Sequence, residues 1–178
     1  MTNRATQGQY PPGSVFKLVV AAGGLESGSI SRSTPIECRG RFQMGSRVFK
    51  DWRKEGHGLV NLHEGLVHSC DIYFYTLGRQ LGIDKLAHYA AQFGLGRRTG
   101  IDLPAESPGI VPSSKWKARV LGERWYPGET ILVAIGQSYV TVTPLQMATL
   151  IGTIANNGLQ YRPRVVRKFE KRQDDTLV

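Results

Sequence analysis

Pro11-Pro12-Gly13-Ser14-Val15-Phe16-Lys17, the opening of an apolar run that reaches Ala22, decides how the chain is read. Pro12 and Gly13 break the incoming backbone, and the residues after them suit a helix that stops at Gly23-Gly24 or at Gly28. Positions three apart share a helix face, so Ser14 Oγ and Lys17 Nζ can meet there. A serine hydroxyl is a poor nucleophile until a neighbour takes its proton. A lysine desolvated among Val15, Phe16, Leu18 and Val19 can lose its charge and become that base. The amide donors of a helix start suit an oxyanion at the same place. Alone, the pattern decides little, because Ser114-Lys115-Trp116-Lys117 repeats it. An isolated Ser14 is more simply a helix cap, with Lys17 reaching solvent.

At 178 residues the chain can bury one sizeable core, so a single domain over 1–178 is expected. A hydrophobic content of 40% with 21% charged residues belongs to a soluble globular chain, not a disordered one. No apolar run approaches the ~20 residues that span a bilayer, and the N-terminus shows no signal-peptide pattern. A net charge of +9 raises nucleic acid as a partner. The basic residues are dispersed, however, with one dense cluster from Arg162 to Arg172 and no Walker, RNP or zinc-knuckle motif beside it. An anionic surface or acidic polymer fits that charge at least as well. Binding to nucleic acid would show a steep salt dependence.

Helices dominate the expected elements. The segment 30–50 reads as loop with short strands at 41–43 and 47–49. Asn61 and Glu64 form a capping box that opens a short helix over Leu62, Leu66 and Val67. Asp71 is placed to cap a helix over 72–81 that Gly82 stops, and Asp84 to cap another that ends at Phe93 and Gly94. Segment 94–109 is glycine- and proline-rich loop. A helix is expected from Ser113 or Ser114 to Leu121, and another over 145–155 behind Thr143-Pro144. Ile131 to Ile135 is short and apolar, and Val165, Val166 and Phe169 suggest a terminal strand.

Ser69-Cys70-Asp71 falls between two of these helices, where side chains can face a cleft. A second hydroxyl beside a Ser/Lys pair can relay a proton to the leaving group. S-x-x-K, then S-x-[DN], is the order found in class A β-lactamases and penicillin-binding proteins, whose third motif is K-T-G. Longer stretches sharpen the likeness: Asn3 to Gly8 leading into Pro11, Asp51-Trp52, Gly56-His57-Gly58, and Tyr73-Phe74-Tyr75. Thr99 to Leu103, and Ile135-Gly136-Gln137 before Thr143 to Ala148, add to it. Over essentially its whole length the sequence resembles class B penicillin-binding proteins, within them the penicillin-binding protein 2 type, a D,D-transpeptidase of rod-shape elongation.

The resemblance implies the α/β fold of serine β-lactamases and transpeptidases, of which this chain holds mainly the helical lobe. It implies Ser14 as acyl-enzyme nucleophile, Lys17 as general base, Ser69 as proton relay and Asp71 at the third position of the second motif. It further implies a stem-peptide donor ending in D-Ala-D-Ala, acylation by β-lactams, and no cofactor for catalysis. A partner glycosyltransferase, the elongation machinery, and a periplasmic domain on a protein anchored in the cytoplasmic membrane outside these residues complete the picture. Two departures stand out. The motif K-[ST]-G is missing, since Arg98-Thr99-Gly100 imitates it too early, so the chain is expected to be a partial transpeptidase domain with little or no turnover alone. Ser138 also stands where relatives usually have Gly. Rival readings are a serine β-lactamase, which would need a water-activating Glu, and a β-lactam sensor or wall-synthesis scaffold that acylates without turnover.

Cys38, Asp51, His57 and Cys70 supply enough ligands for a tetrahedral zinc, though their wide spacing is unlike a zinc knuckle. The resemblance implies a structural zinc on Asp51, His57 and Cys70, with Cys38 near a position where relatives supply Asp. A Cys38–Cys70 disulfide and two free thiols are the alternatives. His63, His68 and His88 read as surface residues. Trp52, Trp116 and Trp125 read as packing, although Trp125-Tyr126 beside Pro127-Gly128 could line a cleft.

Overall fold

Everything packs around α3 (Asp71–Gln92), which the computed structural model, describing residues 2–168, shows as two helical halves broken at Gly82, as the sequence suggested. Gly82 adopts φ 74° and ψ 164°, a conformation that costs glycine little, and the helix resumes beyond it. Asp84 falls inside the first turn of the second half and binds the start of a later helix instead. Its carboxylate accepts from Ser114 N at 2.9 Å and from the Ser114 hydroxyl at 2.8 and 2.7 Å.

A 3₁₀ turn, Gly13–Phe16, leads into α1 (Lys17–Glu26). Then come β1 (Ile36–Cys38), β2 (Arg41–Met44), β3 (Arg47–Lys50), β4 (Gly58–Val60) and α2 (Leu62–Val67) ahead of α3. Beyond it lie α4 (Ser114–Leu121), α5 (Pro127–Val133) and α6 (Pro144–Ala155). β2 and β3 fall where short strands were expected and pair as an antiparallel hairpin, Phe42 opposite Phe49. The β1–β4 antiparallel pair, Cys38 opposite Gly58, was not legible as strand. Neither was α5, whose Pro127 takes the first helical position while Glu129 Oε2 accepts from the Tyr126 N–H at 2.9 Å. Val165 and Val166 are in no strand: their N–H groups go to the Asp102 carboxylate, and Phe169 lies outside the described residues.

The core is the face of α3 that meets α1 on one side and α5 on the other. Phe16, Val19, Val20, Phe74, Leu77, Leu86 and Ile131 are all at most 1% exposed. Each such side chain contributes about 1.5–3 kcal/mol by leaving water. This packing fixes the ends of three elements against each other: the start of α1, the start of α3, and the loop after α5.

Candidate functional site

Ser14 is exposed at the first turn, and Lys17, one turn further, is buried with 1% of its surface accessible. Lys17 Nζ spends its three donors on the Ser69 carbonyl at 2.8 Å, Ser69 Oγ at 3.0 Å and Asp71 Oδ1 at 2.6 Å. Ser69 Oγ in turn donates to Ser14 Oγ at 2.9 Å. The expected direct meeting of Ser14 and Lys17 is replaced by a line: Lys17, Ser69, Ser14. Helix spacing puts both ends on one face, and Ser69 from α2–α3 fills the space between them. Asp71 does not cap α3, as was expected of it. Cys70 takes the cap position, its Sγ accepting from the Tyr73 N–H at 3.4 Å, and Asp71 is left free to pair with Lys17.

Ser69 sits at φ 49°, a left-handed conformation that costs a non-glycine residue about 1–2 kcal/mol. It closes α2 as a Schellman turn, with Ser69 N bonded to Leu66 O at 3.1 Å and Cys70 N to Gly65 O at 2.9 Å. Glycine is the usual residue at that position. Here a hydroxyl stands in its place and points at Ser14. From the other side Gly136, φ 71°, presses on the Ser14 turn: its carbonyl accepts from Gly13 N at 3.0 Å, and a Cβ on it would stand 2.2 Å from Gly13 O. Sequence reading singled out neither strain nor contact.

Cys38, Asp51, His57 and Cys70 do converge, with their ligand atoms all within 4.8 Å of one another. Cys38 Sγ lies 3.4 Å from His57 Nδ1 and 3.6 Å from Asp51 Oδ2, and Cys70 Sγ lies 3.5 Å from the same oxygen. A tetrahedral site with metal–ligand bonds of about 2.0–2.3 Å has edges of about 3.3–3.8 Å, so these separations fit zinc. The two sulfurs are free thiols in the structure. Burial works against the Asp51 charge, but the Arg53 and Ile72 N–H groups outweigh it and hold the carboxyl below its ordinary value. Burial, then Cys38 and Asp51, pushes the Cys70 thiol up. The His57 ring stacks on His68 with centroids 5.6 Å apart, while its buried Nε2 has no hydrogen-bond partner among the described residues. Most zinc-bound imidazoles have one.

Arg98-Thr99-Gly100 forms no strand. The Thr99 N–H and hydroxyl and the Gly100 N–H all bind the buried Glu106 carboxylate, closing a loop on itself.

The family model described as the penicillin binding protein transpeptidase domain matches residues 1–178. The peptidoglycan D,D-transpeptidase MrdA of Acinetobacter baumannii is 47% identical over 167 residues, covering 93% of this chain and 25% of that protein. MrdA of Escherichia coli is 40% identical over 168 residues, covering 93% and 26%. Pseudomonas aeruginosa PBP2 in complex with WCK 5153 superposes with a TM-score of 0.89 at 37% identity, over 92% of this chain and 36% of that one. PBP2 of Helicobacter pylori in complex with MreC gives 0.88 at 39% identity, over 92% and 31%. The chain thus spans about a quarter of the length of the curated relatives.

Proposed function

The chain belongs to the penicillin-binding protein transpeptidase domain family, and from that premise we propose that it carries the acylation machinery of a penicillin-binding protein 2 type D,D-transpeptidase. Ser14 Oγ attacks the penultimate D-Ala carbonyl of a stem peptide, and its proton passes to Ser69 Oγ and on towards Lys17. Asp71, 2.6 Å from Nζ, is placed to take the proton that Lys17 must first give up. The terminal D-Ala leaves as an amine that regains a proton through Ser69. An amine of a neighbouring stem then resolves the ester. A β-lactam acylates Ser14 by the same attack. The observation that carries this reading is the Lys17–Ser69–Ser14 line, since residues 52 and 55 positions apart are brought into hydrogen-bond contact. K-[ST]-G does not occur in the 178 residues, so residues 1–178 alone turn over stem peptides little or not at all.

The parent protein is read as anchored in the cytoplasmic membrane with this domain in the periplasm. Among the described residues no helix is long and apolar enough to cross a membrane. A glycosyltransferase and the elongation machinery are its proposed partners, in line with relatives solved in complex with MreC and in a peptidoglycan synthase complex. Cys38, Asp51, His57 and Cys70 are proposed to hold a structural zinc. With four protein ligands it would keep no open position, and its part would be to brace the backbone that follows Ser69. Cys70 and the Asp51–Ile72 bond are the links to that backbone.

The deciding experiment is intact mass of the full-length protein from its source cells before and after benzylpenicillin. One stable adduct mapped to Ser14 is expected, and a protein that gains none loses this reading. Elemental analysis of the same protein tests the metal. A preparation without bound zinc, whose stability and acylation ignore a chelator, excludes it.

A further inference from the structure

Arginines from two distant segments meet at one place that acylation leaves unused. Arg97 and Arg98, in the loop after α3, and Arg162, in the segment after α6, line the same pocket of about 310 Å³. All of them are exposed, so the pocket is open to a ligand from solvent. Each guanidinium spends a donor on a neutral oxygen. Arg98 Nε donates to the Glu106 carbonyl at 3.0 Å, Arg162 Nε to the Gly100 carbonyl, and Arg97 Nη2 to Gln160 Oε1 at 3.5 Å. None of them has a carboxylate within ion-pair distance among the described residues, and most of their N–H donors are unspent. The two acids of the 97–108 loop are engaged elsewhere. Glu106 is bound by Thr99 and the Gly100 N–H, and Asp102 accepts from Val165 N at 2.8 Å and Val166 N at 3.3 Å. Those two N–H groups, and more weakly the Arg162 charge, hold the Asp102 carboxyl below its ordinary value.

Buried groups hold the arginines in position. Gln146, 1% exposed, donates from Nε2 to the Arg97 and Pro108 carbonyls at 2.8 Å each and so fixes the backbone under Arg97. Gln160 Nε2 donates to the Phe93 carbonyl at 3.0 Å, lying so close over Gly94 that a Cβ there would stand 2.4 Å from that nitrogen. Guanidiniums fixed round one pocket repel each other, and an anion between them turns that repulsion into attraction. A planar carboxylate matches one guanidinium fork. A tetrahedral anion with two charges takes paired hydrogen bonds from several forks at once. We propose that this pocket is a binding site for a phosphate dianion, free or as a monoester, with Arg97, Arg98 and Arg162 as its ligands. No residue of the Lys17–Ser69–Ser14 line borders it, so phosphate binding and acylation can be read separately.

The test is calorimetric titration of the full-length protein with inorganic phosphate at a pH of about 8, where a phosphate group carries close to two charges. Sodium chloride at the same ionic strength is the control. Saturable binding of one phosphate per chain is expected. Arg97→Gln and Arg162→Gln should each raise Kd by about tenfold, through the loss of charge-assisted hydrogen bonds. Arg162→Lys, which keeps the charge and loses the fork, should fall between wild type and Arg162→Gln. Glycerol phosphate, titrated in parallel, separates the two sources. Tighter binding of the ester assigns the site to a phosphate carried on a larger molecule, and tighter binding of inorganic phosphate assigns it to the free ion. A full-length protein that binds neither overturns the site, as it would if another part of the parent chain fills the pocket. So does chloride that gives the same heat, since the cluster is then only screened, or a wild-type affinity in both glutamine variants. Where a glutamine variant lowers the thermal midpoint, Arg162→Lys decides, and wild-type affinity in that protein counts against the forks.

Discussion

Two quartets in this molecule share the same letters, and their fates differ. Both Lys17 and Lys117 are 1% exposed, so burial does not tell them apart. Lys17 is surrounded by groups that can exchange protons with a nucleophile: two hydroxyls in line and one carboxylate. Lys117 is locked by Glu129 at 2.5 Å and Glu123 at 3.2 Å, and its ammonium lies 4.8 Å over the Tyr126 ring. Ser114 never meets its lysine, because both of its polar groups go to Asp84. A buried lysine near a serine is thus linked to it only where a third element brings a hydroxyl between them. Elsewhere it is a bolt between α4 and α5.

The largest effect that can break this contrast is at the serines. Ser14→Ala in the full-length protein should abolish the penicilloyl adduct, and Ser114→Ala should leave it intact; an adduct that survives the first change would remove Ser14 from its role. The lysines should split next. Lys17→Met is expected to slow acylation by about 10²–10⁴-fold, the usual worth of an acid–base group. Lys117→Met should keep most acylation yet lower the thermal midpoint by roughly 5 °C. Equal rate losses in both would mean that the two lysines are equivalent after all.

The pH dependence sharpens the comparison further. Burial opposes the Lys117 charge, but Glu129 and Glu123 outweigh it and push its pKa from 10.5 up to about 12. That raised value stabilises the fold below 10.5 and stops doing so as pH climbs through about 12. Burial also opposes the Glu129 charge, but Lys117 and the Tyr126 N–H hold its carboxyl below 4.5, so its contribution is present above 4.5 and is lost as pH falls through the lowered value. The stability gap between wild type and Lys117→Met, followed by denaturant titration, should be flat between these limits and shrink outside them. The smallest effect is at two left-handed serines. Ser138→Gly relieves φ 69° and should add about 1 kcal/mol to stability, whereas at Ser69 (φ 49°) the loss of the Oγ partner of buried Lys17 should offset that gain. Only Ser69→Gly should cost acylation. If it does not, Ser69 is a turn residue and no relay.

Much of the local structure was legible because its signals are short-range. The Asn61–Glu64 and Thr143–Gln146 boxes form as side-chain and backbone hydrogen bonds within one turn. The two short strands of the β2–β3 hairpin were legible on either side of Gly45, though not their pairing. Asp71 and Asp84 misled because an aspartate ahead of a helical stretch looks like a cap, whereas both carboxylates found stronger partners on other elements. The β1–β4 pair escaped notice because three residues are too few for a pattern, and their pairing depends on a chain reversal through the cysteine and histidine cluster.

By itself the sequence determined the helix boundaries that caps and prolines write, the order of the S-x-x-K and S-x-D motifs, and the membership that their neighbours imply. Tertiary structure alone decided that Ser69 stands between Lys17 and Ser14, that Asp71 pairs with Lys17, and that four ligand atoms close round one point. Helix spacing reaches three or four residues along the chain and fixes a face. Lys17, Ser14 and their partners are 52 to 55 positions apart, and only the packing of α1, α3 and α5 on a shared core sets those distances to hydrogen-bond length.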